Sequence, residues 1–172
     1  MAADGTTLIK ESDDDGVHRG SFILYTATED GPLYLRAYSW DHSDSGAYTM
    51  KVQVLEPDAY EADDAVAEAK TAQVGVEQRR SIHSLDDADW IAVDVVAGLT
   101  YTFDTREGDY GFDPDMALYD TDGTTDLAWD NNSGPMYYSH IEYTPDQDKR
   151  VYLMVQSADT LGWYGLTINC NN

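Results

Sequence analysis

The chain has 172 residues and carries 33 Asp and Glu against 10 Lys and Arg, a formal net charge of −23 at pH 7. A surface this acidic repels nucleic-acid backbones and anionic membranes, which excludes both as partners. The single cysteine excludes an intrachain disulfide, and no apolar run is long enough to span a membrane. The acid excess is typical of a salt-adapted, halophilic surface or of oxygen ligands for a cation such as Ca²⁺, and the two are compatible.

Residues 1–55 have the pattern of β-strands. Three β-rich runs, at 21–27, 33–40 and 47–54, are separated by turn residues. In the third run apolar and polar residues alternate, so that Tyr48 and Met50 share one face. This period of two predicts a half-buried antiparallel strand.

After a boundary at 55–62, the remaining residues show the same pattern of short β-rich runs separated by turns. Residues 63–72 are rich in Ala, Glu and Lys and predict at most a turn or two of helix, with Asp63 or Asp64 as the N-cap. Alternation at 99–104, 151–156 and 164–169 predicts further strands. Many short strands separated by turns favour an all-β fold, a β-sandwich.

The last third of the chain is a second copy of the beginning. From Asp122 it reads DGTT, LAWDNNSG, SHIEYT and VYLMVQSAD, and this matches the chain from Asp4 without a gap as far as Asp41 and Asp159. Only the later copy has a long segment before it. The repeat therefore predicts that residues 1–55 are the C-terminal half of one module and residues 56–172 a complete one.

Five motifs of the complete module resemble, in order, the bacterial pre-peptidase C-terminal domain family. They are DAYEADDA at 58–65, DDADWIAVDV at 86–95, AGLTYTF at 97–103, ALYDTDGT at 117–124 and GWYGLTI at 162–168. The resemblance, which extends to the collagen-binding domains of clostridial collagenases, implies an antiparallel, jelly-roll-like β-sandwich. It also implies a non-catalytic module appended to secreted enzymes, often peptidases.

The same resemblance implies a calcium site. Carried over position by position, its ligands are Glu61, Asp63, Asp64, Ser81, Asp86, Asp89 and the carbonyl of Tyr164. Ca²⁺ takes about 6–8 oxygen ligands, and these segments supply enough carboxylates if the fold brings them together. Ala59 departs from the Glu of some members, which argues against a second ion. The alternative is that these acids are solvated on an acidic surface.

Other chemical signals are weak. The chain has no H-E-x-x-H, G-x-S-x-G or P-loop motif, so we expect no enzymatic activity. The four histidines are scattered, and His83 reads as a surface neighbour of Asp86. The sequence DTDG at 120–123 resembles the start of an EF-hand loop, but a tight turn with Gly123 at positive φ explains it better.

Aromatic residues divide into two predicted groups. Those in strand motifs are expected in the core, namely Trp90, Tyr101, Phe103, Tyr119 and Tyr164. Those in or near loops are candidates for binding a polymer, since exposed rings beside polar groups suit extended ligands: Tyr110, Trp129, Tyr137, Tyr138 and Trp163. Ordinary packing is the alternative for each of them.

These observations predict an accessory domain of a secreted multidomain protein, such as a peptidase, stabilised by Ca²⁺. Its partners would be adjoining domains and an extracellular protein or polysaccharide, and its location extracellular or at the cell surface. The alternative is a structural spacer repeat of a cell-surface protein that binds no ligand.

Overall fold

The computed structural model describes residues 1–13, 20–39, 43–106, 108, 112–158 and 160–171. The chain divides into two compact units, Met1–Gln53 and Val54–Asn172. Within the described ranges, no helix combines the length and the apolar character needed to cross a membrane.

The described residues of the second unit form nine strands in two sheets. The five-stranded sheet has the order β1-β3-β8-β5-β6 and the four-stranded sheet the order β2-β9-β4-β7. All pairings are antiparallel except that of β1 with β3. The strands are β1 (Lys70–Thr71), β2 (Gln78–Ile82), β3 (Asp89–Val95), β4 (Thr100–Arg106), β5 (Asp115–Tyr119), β6 (Asp126–Asp130), β7 (His140–Tyr143), β8 (Lys149–Gln156) and β9 (Gly162–Asn171).

Alternate side chains of these strands fill the core. In β8 the branched residues Val151, Leu153 and Val155 are fully buried, whereas Tyr152 and Met154 between them are half-buried. This is the period of two expected when one face of a strand is covered. The predicted all-β antiparallel sandwich is confirmed.

Two of the aromatic residues predicted in the core lie elsewhere. Tyr101, Phe103 and Tyr164 are buried as expected. Trp90 and Tyr119 are only half-buried, and their rings pack against each other with centroids 5.2 Å apart. The prediction for these two was wrong because a strand motif does not tell which of its two faces is covered.

The segment 63–72 forms a single short 3₁₀ helix, Val66–Glu68, so its predicted brevity is confirmed. The expected N-cap is wrong: the cap position is Ala65, without a side-chain hydrogen bond. The segment then becomes strand β1, whose two residues pair in parallel with Ile91 and Ala92.

The first unit differs from its prediction. Its described residues contain no strand, although strands were expected at 21–27, 33–40 and 47–54. The apolar side chains that would form the inner face are exposed: Leu33, Leu35, Tyr48, Met50 and Val52, together with Val54 at the start of the second unit. A strand is stabilised mainly by packing against neighbours, and the described residues of this unit offer no facing sheet.

One turn of the first unit nevertheless has the same backbone conformation and hydrogen bonds as the corresponding turn of the second unit. Gly5 and Gly123 have φ of 69° and 67°. The amide of Thr7 donates to Asp4 Oδ1 at 2.8 Å, and the amide of Thr125 donates to Asp122 Oδ1 at 2.8 Å. The turn interpretation of DTDG is confirmed, because these carboxylates accept hydrogen bonds from their own loop.

Candidate metal site

A cluster of charged side chains is assembled from three parts of the second unit. The segment 58–63 supplies carboxylates, β2 supplies Arg80 from the four-stranded sheet, and β3 begins at Asp89 in the five-stranded sheet. Asp63, Arg80 and Asp89 are fully buried. The two sheets therefore share a charged group at this end of the sandwich.

Arg80 lies at the centre of this cluster. Its Nη1 is 2.6 Å from Asp63 Oδ2 and 3.3 Å from Asp89 Oδ1, and its Nε donates to Gln78 Oε1 at 2.9 Å. Its guanidinium packs over the ring of Tyr60 at 4.1 Å. Burial alone would lower the pKa of Arg80, but Tyr164, Asp89 and Asp63 outweigh it and raise that pKa. The residue is therefore a permanent cation.

The carboxyl groups outnumber that cation. Burial raises the pKa of Asp89 to about 8, although Arg80 and the hydrogen bond from the Tyr164 hydroxyl oppose the shift. Burial also raises the pKa values of Glu61, Asp63 and Asp87. A raised pKa means that the nearby charges and hydrogen bonds do not fully stabilise the buried, ionised carboxylate. A bound cation would stabilise it.

Three carboxylates converge beside Arg80. One oxygen each from Asp58, Glu61 and Asp89 lie within 4.8 Å of one another. Asp58 is held in place by the loop, since its two oxygens accept the amides of Ser81 and Tyr60, both at 2.7 Å. The peptide bond between Glu61 and Ala62 is cis.

This arrangement fits a calcium ion. Ca²⁺–O distances are about 2.3–2.6 Å, so two ligands of one ion lie at most about 5 Å apart. The three oxygens all lie within 4.8 Å of one another, which satisfies that limit. The donor set consists of hard oxygens, and carbonyls or water would complete a shell of about 6–8 ligands.

Five of the seven predicted ligands lie in or beside this cluster. Glu61 and Asp89 are members, and Asp63 is bridged to Asp89 by Arg80. The hydroxyl of Ser81 donates to the carbonyl of Glu56 at 3.0 Å, and Tyr164 approaches Asp89 through its phenol, whereas the predicted ligand was its carbonyl.

The other two predicted ligands, Asp64 and Asp86, are exposed. Asp64 accepts a hydrogen bond from the Ala88 amide at 3.4 Å. No observation tests any of the seven as a ligand, so the set stays a prediction.

Sequence reasoning missed four members of the cluster, namely Asp58, Arg80, His83 and Asp87. His83 is not a mere surface neighbour of Asp86, because its Nδ1 lies 2.5 Å from Asp87 Oδ2 and 3.1 Å from Glu61 Oε1. Residues 77–80 read Glu-Gln-Arg-Arg, which gives no sign of a buried strand. The spacing of His83 and Asp87 across a short turn was the one available signal.

The predicted polymer-binding aromatics differ in their exposure and in the groups they contact. Trp129 is 68% exposed and Tyr137 is exposed, but the Tyr138 hydroxyl accepts the Gly108 amide at 2.7 Å. The guanidinium of Arg79 packs over Trp163 at 4.8 Å. Tyr110 lies outside the described residues.

Trp129 borders a shallow groove of about 400 Å³ on the five-stranded sheet. Its lining residues are Ala117, Tyr119, Asp126, Leu127, Ala128, Trp129, Met154 and Gln156.

Comparison with known proteins identifies the fold. No family model and no curated protein matches the sequence. Among solved structures, the chain is similar to the pre-peptidase C-terminal domain of collagenase from Bacillus anthracis, with a TM-score of 0.50 and 16% identity over 59% of this chain and 94% of that one. The matched part of the chain shares the fold of that domain. It also matches PliG, a periplasmic inhibitor of g-type lysozyme from Aeromonas hydrophila, with a TM-score of 0.45 and 9% identity over 59% of this chain and 94% of that one.

Proposed function

We propose that this protein is a non-catalytic β-sandwich accessory region of a larger secreted or cell-surface protein, such as a peptidase, and that Ca²⁺ stabilises it. The observation that supports calcium is the convergence of Asp58, Glu61 and Asp89 within 4.8 Å beside a single buried arginine. The sandwich fold, shared with a domain of a collagenase, supports the accessory role. The adjoining domains of the parent protein are its first partners.

Calcium would stabilise the fold by linking its parts. Asp58 and Glu61 belong to the segment that precedes the strands, whereas Asp89 begins β3. Without a bound metal ion, burial raises the pKa of Asp89 to about 8 and so favours its protonated form at neutral pH. A bound Ca²⁺ replaces that proton and holds the segment against the sheet.

Thermal unfolding with Ca²⁺, Mg²⁺ or chelator tests this proposal. A ligand at 100 times its Kd adds about 2.7 kcal/mol, which for a unit of this size raises Tm by roughly 10 °C. Extracellular calcium modules bind at about 10⁻⁴–10⁻³ M, so 10 mM Ca²⁺ is a suitable concentration. Mg²⁺ should stabilise much less, because it prefers a tighter octahedral shell.

Asp58→Asn removes a charge and keeps one of the two oxygens that accept the amides of Ser81 and Tyr60, so its Tm in chelator is compared with that of the natural protein first. It should lose the calcium response, and Asp86→Asn, at an exposed carboxylate, shows whether that predicted ligand contributes. Identical melting curves of the natural protein in Ca²⁺ and chelator would eliminate the site and favour the spacer repeat.

A polymer ligand is a second candidate function, favoured by the groove beside Trp129. An exposed indole next to Tyr119 and Met154 offers an apolar platform with polar Gln156 and Asp126 at its border. We propose that it binds an extended protein or polysaccharide. Co-sedimentation with insoluble collagen, chitin and cellulose should show binding that Trp129→Ala removes and Trp163→Ala, whose ring packs under Arg79, leaves intact. Retention of binding in Trp129→Ala would contradict this placement.

A further inference from the structure

A second cluster beside the calcium candidate contains a histidine. One ligand atom each of Glu61, His83 and Asp87 lie within 4.8 Å of one another. We propose that these three side chains bind a divalent transition-metal ion, with Zn²⁺ as the best fit. This inference shares Glu61 with the calcium proposal but does not depend on it.

The geometry is close to that of a metal centre. His83 Nδ1 lies 2.5 Å from Asp87 Oδ2 and 3.1 Å from Glu61 Oε1. Ligands of tetrahedral Zn²⁺ bind at about 2.0–2.2 Å, which places two of them roughly 3.4 Å apart. Side-chain movements of less than about 1 Å would therefore open the cluster around an ion.

The atoms that would bind the ion are buried and lack hydrogen bonds. Glu61 Oε1, His83 Nδ1 and Asp87 Oδ1 are all in this condition, although Nδ1 lies within ion-pair distance of Glu61 Oε1 and of Asp87 Oδ2, the oxygen that accepts the His83 amide. The Asp87 side chain is only 1% exposed. Buried polar atoms are normally hydrogen-bonded, so three in one place require an explanation. A metal ion satisfies all three at once, whereas a proton on His83 can serve only one acceptor well.

The backbone fixes two of the ligands before any metal binds. His83 and Asp87 flank the turn between β2 and β3, and the amide of His83 donates to Asp87 Oδ2 at 2.7 Å. That bond closes the turn and aims the carboxylate at the imidazole. A site whose ligands are already oriented loses little conformational entropy on binding.

The nitrogen donor decides the class of metal. Calcium and magnesium select oxygen ligands, whereas imidazole suits zinc, copper, iron and nickel. Two carboxylates and one imidazole form a mixed donor set that Zn²⁺ accepts, with water in the fourth position. The adjacent oxygen-only cluster of Asp58, Glu61 and Asp89 is the contrasting case, and Glu61 would bridge the two sites.

A second histidine of the same chain provides the control. His140 Nδ1 lies 2.6 Å from Asp104 Oδ1, and both side chains are partly exposed. In the described residues this pair joins no third metal-ligating side chain. His140→Gln should therefore leave transition-metal binding unchanged, while His83→Gln should remove it.

The experiment measures binding of Zn²⁺ and Co²⁺ to the full chain after chelator treatment. Titration calorimetry with excess Ca²⁺ present should give one Zn²⁺ site in the natural protein, in His140→Gln and in Asp58→Asn. The affinity should fall at least tenfold in His83→Gln and in Asp87→Asn. Co²⁺ should give a visible absorption band that only His83→Gln and Asp87→Asn abolish.

The outcomes separate the alternatives. Equal Zn²⁺ binding by natural protein and His83→Gln would assign the ion to the acidic surface and overturn the proposal, as would no binding at all. If His83→Gln unfolds, the Co²⁺ spectrum of the natural protein decides the matter, because an imidazole nitrogen shifts the band from that of an all-oxygen site. Loss of the calcium response in Asp58→Asn with Zn²⁺ binding retained shows the two sites to be separate.

Discussion

The two copies of the repeat share a turn but not a fold. The turns at Gly5 and Gly123 have the same φ and the same pattern of Asp–Thr hydrogen bonds. Met1 and Tyr34 exchange backbone hydrogen bonds at 2.8 and 3.2 Å, and the equivalent residues Tyr119 and Tyr152 are partners in β5 and β8. Beyond these points the second copy forms strands, and the described residues of the first copy do not.

The difference separates local from non-local determinants of structure. A turn needs only its own residues, so both copies form it. A strand needs an adjacent strand and a covered face, which β1–β5 supply in the second unit, whereas the described residues of the first unit offer no facing sheet. Similar sequences thus have different structures because their surroundings differ.

Dividing the chain gives the largest expected effect. Residues 54–172 alone should unfold cooperatively near the Tm of the full chain, because the core cluster lies entirely within them. Residues 1–53 alone should show no cooperative transition, since a piece this small with exposed apolar residues buries too little surface. Calorimetry of the two fragments measures this. A cooperative transition of the isolated 1–53 fragment would contradict the comparison.

A matched pair of leucines tests the comparison at single-residue resolution. Leu153 is fully buried, and its repeat equivalent, Leu35, is 54% exposed. Leu153→Ala should lower the free energy of unfolding by about 2–5 kcal/mol through lost burial and a cavity. Leu35→Ala should change it by less than about 0.5 kcal/mol. Denaturant titration of both variants supplies the numbers, and equal losses would show that the first unit has a covered face.

The fold of the second unit could be predicted because its signals are repeated and local. Alternation in 151–156 identified the inward face of β8, and DTDG identified the turn before β6. The same signals over-predicted the first unit, since alternation at Tyr48, Met50, Val52 and Val54 reports the potential for a covered face and not its existence. Trp90 was predicted in the core but is half-buried, because a strand motif does not tell which of its two faces is covered.

The site could be predicted only in part. The resemblance gave the acids near 61–64 and 86–89, and the structure gathers Glu61, Asp63 and Asp89. It could not give Arg80, because burial of an arginine depends on partners far along the chain. It also favoured Asp86 over its neighbour Asp87, although the turn buries Asp87 and exposes Asp86.

The acid cluster belongs to the second unit, so the pH dependence of the free energy of unfolding reports on that unit. The pKa of Asp89 rises from 3.8 in the unfolded chain to about 8 in the fold, so the folded state binds more protons between these values. Its contribution to stability is therefore present below pH 4 and lost as pH rises through 8. In chelator, stability should fall with increasing pH between 5 and 8, by at most about 1.4 kcal/mol per pH unit for one proton.

Calcium and Asp89→Asn should both flatten that slope, the ion by displacing the proton and the variant by removing the titrating group. Chemical unfolding at pH 5, 6, 7 and 8 measures all three conditions. A slope of opposite sign in chelator would show that Asp89 is ionised in the fold and compensated by Arg80.

The smallest effect is expected from substitutions in the turn that both copies share. Both glycines have positive φ, where an added Cβ costs roughly 1 kcal/mol. At Gly123 that Cβ would also lie 2.6 Å from Cγ1 of Val66, whereas at Gly5 the nearest atom, in Tyr34, is 3.9 Å away. Gly123→Ala should therefore lower the free energy of unfolding by about 1–2 kcal/mol, and Gly5→Ala should leave the cooperative transition unchanged because it lies outside the folded sandwich. Adding Val66→Ala to Gly123→Ala relieves the overlap, so the double variant should lose less than the sum of the two single losses. Strictly additive losses would mean that the Cβ at position 123 does not contact Val66. The turn would then accept alanine equally well in both copies.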